Sequence, residues 1–393
     1  MRIISLVILF SVTSLIGFAQ NDTVRIDTNL FRLRNTLEVR FHHGGIMPNN
    51  SNIDHLLTDP YSSLELRYGW QSYGHSTWNQ LFKNPIYGVG YYQSALWADE
   101  YLGNPSAVYV FFNAPFVKGK RFDFRYDVGI GVSYDFTHYD PDLNPENDLI
   151  GSNVNVYFAG ALEGVYKMSE RSDVSLGVDL THFSNGRTRT PNKGVNLIGF
   201  NAGYRYYIRS NKRYDFYKMG ENKRPKPYFT ELPKFEPYIE YYTVVSGGVT
   251  TTEASKADRD LKYGAASITF DAARHYSHAS KYGLGFDIFY DQSLQESYEG
   301  NNADTKKLFW YGVHVGHELK IYRFAVVVQL GFNLVDRVTK GDIYSRISLR
   351  YDMSDKVFAR IGLKTLNGAA ADFIEWGLGY SINNKRYKNQ RVY

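Results

Sequence analysis

Between Phe122 and Phe136 the chain alternates without a break. Phe122, Phe124, Tyr126, Val128, Ile130, Val132, Tyr134 and Phe136 fall on one face. Asp123, Arg125, Asp127, Gly129, Gly131, Ser133 and Asp135 fall on the other. Successive side chains of an extended strand point to opposite faces, so this is one long strand with a wholly apolar face. Strands of globular proteins usually run about 5–6 residues, whereas a membrane-crossing strand needs about 9–11.

The same alternation recurs along the chain. Eight segments lie near 36–47, 62–71, 85–96, 105–117, 122–136, 153–168, 173–186 and 195–208. Eight more lie near 236–247, 263–276, 281–291, 308–319, 324–335, 343–351, 356–365 and 372–382. The composition agrees: 34 Tyr, 25 Phe and 34 Gly accompany only 12 Pro, as expected where aromatics fill pleated faces and glycine serves bends and close approaches.

Volume decides which face points inward. The interior of an eight-stranded barrel is just wide enough for side chains, and it cannot hold a full row of large residues from every strand. The small face carries Gly129, Gly131, Ser133, Ala159, Ala161, Gly199 and Gly203, with Asp127, Glu163, Asp179 and Arg205 able to pair inside. The aromatic face therefore points into lipid. The fold class is an all-β transmembrane antiparallel barrel, not a soluble lipocalin-like one.

Residues 1–19 read as a cleavable secretory leader: Met1-Arg2, an apolar run from Ile3 to Ile16, and Gly17-Phe18-Ala19 before Gln20. Its apolar run is too short to span, and no later stretch has ~18 consecutive apolar residues, so a helical membrane protein is excluded. The absence of cysteine excludes a disulfide scaffold, thiolate catalysis, cysteine-ligated zinc and a lipoprotein anchor. A net charge of +5, from 45 Lys+Arg and 40 Asp+Glu, is too weak to indicate nucleic acid. No cofactor or metal site is expected; His42-His43 and the pair His314 and His317 each fall on opposite faces.

Short links (118–121, 169–172, 320–323, 352–355) alternate with long ones (138–152, 248–261, 292–307), as periplasmic turns and outer loops do. The link 72–84 is a misfit, long where a short turn is expected. Residues 209–235, rich in Lys, Arg, Pro and Tyr, read as a periplasmic linker between a first barrel over 20–208 and a second over 236–393. Both sets end alike, in Asn201-Ala202-Gly203-Tyr204-Arg205-Tyr206-Tyr207-Ile208 and Glu375-Trp376-Gly377-Leu378-Gly379-Tyr380-Ser381-Ile382. These resemble the closing-strand signal read by the bacterial barrel-assembly machinery. Two such signals favour two tandem eight-stranded barrels over a single sixteen-stranded one, and they place the protein in the outer membrane of a Gram-negative bacterium.

Chemistry concentrates in the hairpin 173–208. Val174, Leu176, Val178 and Leu180 form a lipid face, and the same parity continues to His182 and Ser184 at the outer end. Across the loop, Ile198 and Phe200 set the parity that turns Asn196 outward. A serine needs a base, and the base a group that fixes its tautomer; Ser184, His182 and Asn196 suit those roles in that order. Simple solvation of rim residues explains the same pattern, since polarity there costs only ~0–1 kcal/mol.

The stretch His182-Phe183-Ser184-Asn185-Gly186, followed by Pro191-Asn192-Lys193-Gly194, resembles the lipid A 3-O-deacylase (PagL) family over roughly residues 36–208. The resemblance implies an eight-stranded outer-membrane barrel that hydrolyses an ester-linked acyl chain of lipid A in lipopolysaccharide. It implies His182 as general base, Ser184 as nucleophile, and Asn185 with Gly186 at the oxyanion hole. Two positions depart from the family pattern. Asn196 stands where the family has Glu, and Arg187 where it has the oxyanion-loop glycine. An acid from the loop 137–152, namely Asp142, Glu146 or Asp148, is an alternative third member. Arg187, Arg189 and Lys193 are candidate contacts to lipid A phosphates.

His275-Tyr276-Ser277 repeats the His-x-Ser spacing, but at the periplasmic end and on the lumen side. Leu363-Lys364-Thr365-Leu366-Asn367-Gly368 loosely echoes the first motif without His or Ser, which makes the second half a degenerate repeat. A non-catalytic structural barrel or a small channel is the alternative to an esterase.

Overall fold

The computed structural model describes residues 34–72, 77–98, 100–208, 232, 234–258, 261–298, 305–335, 340–367 and 370–383. The leader and most of the linker expected at 209–235 lie outside these residues. The first set of strands is β1 (Arg34–Ile46), β2 (Tyr61–Gln71), β3 (Ile86–Ala95), β4 (Gly103–Lys118), β5 (Phe122–Phe136), β6 (Asn155–Lys167), β7 (Ser172–Ser184) and β8 (Val195–Tyr207). The second is β9 (Tyr238–Thr250), β10 (Tyr263–His275), β11 (Ser280–Asp291), β12 (Phe309–Ile321), β13 (Phe324–Asn333), β14 (Ile343–Asp352), β15 (Val357–Leu366) and β16 (Ala370–Ile382).

Each set closes on itself as an antiparallel barrel. β8 returns to β1 with Tyr204 opposite Val39, and β16 returns to β9 with Leu378 opposite Val245. Two eight-stranded barrels replace the single-barrel alternative. Both closing strands carry the terminal signal read from sequence. Because β1 and β8 satisfy each other's edges, we expect residues 20–225 to insert on their own. An unheated SDS gel of the expressed fragment checks this: a folded, faster-migrating band is the expected result, and insertion only alongside 226–393 on the same chain is the opposite one.

The outer faces are apolar and open. Leu176 is 71% exposed and Phe200 72%, a surface that suits hydrocarbon and not water. The lumens are filled by paired charges. Arg40 meets Glu163 at 2.6 Å, Arg67 grips both oxygens of Asp127 at 2.7 and 3.0 Å, and Arg205 binds Glu38 at 3.0 Å. In the second barrel His314 meets Asp287 at 2.6 Å, and Arg346 pairs with Glu375. Such groups tolerate burial because each has a close, oppositely charged partner. All of them are buried, so among the described residues the charged rings fill the lumens.

Above the charged layer, the first barrel is capped by apolar side chains. Ile53, Leu57, Leu96, Leu102, Leu149 and Ile150 from three outer loops pack with Tyr92, Tyr157 and Phe183. The misfit link contains the short helix α1 (Thr77–Leu81). Trp78 of this helix packs on Tyr87 and on Tyr322 of the second barrel, with ring centroids 5.8 and 6.2 Å apart. Its extra length thus serves a contact between barrels at the periplasmic rim.

Candidate active site

The site sits on the last rungs of β7 and β8. His182 and Asn196 are direct cross-strand neighbours, which places their side chains on one face. Phe183, between His182 and Ser184, points the other way and is fully buried against Phe136, Tyr157 and Tyr92. This anchor fixes the strand, so that His182 and Ser184 must both face outward.

The outward groups form a line. His182 Nδ1 lies 2.7 Å from Asn196 Oδ1, and His182 Nε2 lies 3.0 Å from Ser184 Oγ. A carboxamide oxygen only accepts, so Nδ1 carries the proton and donates it to Asn196. Nε2 is then left to accept from the serine hydroxyl. Both ring nitrogens are taken, which leaves no position for Asp142, Glu146 or Asp148.

Asp142 and Glu146 are exposed on their loop. Asp148 holds the loops together instead. Its carboxylate meets Lys193 Nζ at 2.6 Å and accepts from Ser51 Oγ and from the Asn52 amide. Burial raises its pKa, but the hydrogen bonds from Lys193 and Ser51 outweigh this and hold the carboxyl below its usual range. The tie stabilises the loops fully above the free carboxylate value, about 3.9, and is lost as pH falls through the lowered folded-state value. Lys193 is thereby committed: it also donates to the Asn50 carbonyl at 2.5 Å. These bonds give Lys193 a part in loop structure. Arg187 and Arg189 are half-buried.

Asn185 is also engaged. Its amide N–H donates to Asn192 Oδ1 at 2.9 Å, and its Nδ2 donates to Ser152 Oγ at 3.0 Å. The amides of Gly186 and Arg187 find no acceptor among the described residues. Arg187 holds φ +65 and Gly186 φ +60. Arginine therefore keeps the left-handed backbone that the family's glycine would adopt freely.

Three contributors were not assigned roles from sequence: Asn192, Ser152 and Gly194. Gly194 has φ +81, and a Cβ there would lie 2.8 Å from His182 Cε1 and 3.0 Å from the Phe183 carbonyl oxygen. Both features demand glycine. Gly194→Ala is expected to push the imidazole out of line and lower acyl release by at least ~10-fold, about 1.4 kcal/mol. Comparing turnover at equal amounts of folded protein checks this.

The repeated His-x-Ser does not form a pair. His275 bonds to Glu240 at 2.8 Å inside the second barrel, and Ser277 Oγ accepts turn amides from Ala279 and Ser280.

Closed barrels with apolar outer faces define the class, a β-barrel protein of the outer-membrane type. Residues 62–205 match the family model described as lipid A 3-O-deacylase (PagL), and residues 239–384 that described as acyloxyacyl hydrolase, C-terminal domain. The chain belongs to the PagL family and is an ester-hydrolysing enzyme of the outer membrane. Among solved structures it is similar to the outer-membrane enzyme PagL, at 19% identity and TM-score 0.31, covering 44% of this chain and 99% of that one. It is also similar to Neisserial surface protein A, at 11% identity and TM-score 0.31, covering 44% and 97%. No curated protein matches the sequence.

Proposed function

We propose that this enzyme removes an ester-linked acyl chain from lipid A by serine catalysis, with Ser184 as nucleophile, His182 as general base and Asn196 as the group that orients it. The reading is carried by one observation, the unbroken line from Asn196 through His182 to Ser184 at the outer end of a lipid-facing hairpin, with Ser184 itself buried at 8% exposure. Substrate reaches it sideways from the outer leaflet.

Ser184 Oγ attacks the ester carbonyl carbon while its proton passes to His182 Nε2. The carbonyl oxygen becomes an oxyanion, and the free amides of Gly186 and Arg187 are the donors offered to it. Collapse breaks the bond to the sugar oxygen, which leaves as an alcohol with the proton from His182. Water then enters, gives a proton to His182 and displaces Ser184, releasing the fatty acid. No cofactor is needed for this sequence.

The channel reading has no support in the packed lumens. Incubating purified protein with lipopolysaccharide and following both lipid A mass and free fatty acid tests the proposal. Loss of one acyl chain with stoichiometric release of one fatty acid, absent in Ser184→Ala, is expected.

A further inference from the structure

The loop after Ser184 is held from outside its own barrel. Gly186 and Arg187 are consecutive left-handed residues, and for a residue with a Cβ that conformation persists only where the surroundings over-determine it. Here the surroundings are the second barrel. Thr251, just past β9, donates its hydroxyl to the Arg187 carbonyl at 3.0 Å and accepts from Thr190 Oγ1 at 2.5 Å. Thr190 also lies 3.1 Å from the Thr252 carbonyl oxygen. Thr251 is 2% exposed and Thr190 8%, so water does not compete for these bonds. Ile374 of β16 and Leu363 of β15 close over Gly186, where an added Cβ would strike Ile374.

We propose that the second barrel is a clamp on the oxyanion loop, with Thr251 as its positioning residue. By fixing the Arg187 carbonyl it holds the backbone that carries the two free amides, so that they meet the oxyanion without reorganisation. The segment from Leu363, a degenerate echo of the catalytic motif, thus packs against the working copy. The inference rests on Ser184 being the nucleophile.

The test uses the full-length chain in detergent micelles with lipid A. Thr251→Val keeps the side chain's shape and removes the hydroxyl. It is expected to lower kcat about 10-fold while leaving KM unchanged, because an oxyanion donor acts on the transition state and not on ground-state binding. Thr251→Ser keeps the hydroxyl and should restore turnover. Adding Arg187→Gly to Thr251→Val should also recover part of kcat, since glycine enters the left-handed conformation without the steric cost that the clamp offsets; a merely structural threonine would not be rescued there. Wild-type kcat in Thr251→Val, or failure of both Thr251→Ser and the Arg187→Gly double variant to recover it, would overturn the clamp while Ser184→Ala stays inactive. Acyl release surviving in Ser184→Ala would remove the catalytic reading and the clamp with it.

Discussion

Ser184→Ala and His182→Ala are each expected to abolish measurable acyl release, while His275→Ala and Ser277→Ala leave it intact. Loss of the nucleophile or base in a serine hydrolase of triad type costs on the order of 10⁶ in kcat. The two are expected to be non-additive, because either loss disables the same proton transfer, so the double variant should be no worse than either single one. The control pair has the same spacing but different surroundings. His275 is tied to Glu240, and Ser277 Oγ serves a turn. Lipid A from cells expressing each variant, compared by mass, checks the set. An unchanged profile between wild type and Ser184→Ala would end the serine mechanism, whatever the family's reaction.

Most of the fold was legible because a strand announces itself at period two, and sixteen long segments left no room for another class. The lipid face followed from volume. The role of Phe183 as the anchor between His182 and Ser184 needed Tyr157 and Phe136 from other strands. The line His182, Ser184, Asn196 was legible for the same reason: strand parity puts a rim residue on a known side, and hairpin neighbours at a known height. Loop chemistry was not legible. Nothing local marks Lys193 as a partner of Asp148, since their meeting depends on how two outer loops fold over the cap. Arg187 gives no sign of a left-handed backbone, because glycine is the residue that normally signals it. Thr251 lies in another barrel, and only the packing of the two brings its hydroxyl to the Arg187 carbonyl. The link 72–84 is long where a short turn is expected, and the contact of Trp78 with Tyr322 gives its length a use.

Asn196 offers the sharpest distinction between an orienting group and a charged one. Its Oδ1 accepts from His182 Nδ1 at 2.7 Å, which selects the tautomer whose Nε2 can take the serine proton. Asn196→Ala removes that selection and is expected to lower turnover at least ~10-fold, about 1.4 kcal/mol of transition-state stabilisation. The family pattern has Glu at this position, and Asn196→Glu should keep or raise activity. A carboxylate accepts the same hydrogen bond and also stabilises the imidazolium that forms as Ser184 attacks. The carboxylate carries a signature that the amide cannot. It favours the protonated ring, so the base becomes available only at higher pH, and the acidic limb of kcat/KM should move to higher pH in Asn196→Glu than in wild type. Single-turnover release of acyl chain across the pH range reads both effects. If Asn196→Ala turns over like wild type, Asn196 does not orient His182. If Asn196→Glu leaves the acidic limb where it was, the carboxylate does not reach the imidazole, and the register that places the two side by side is not the one the working enzyme uses.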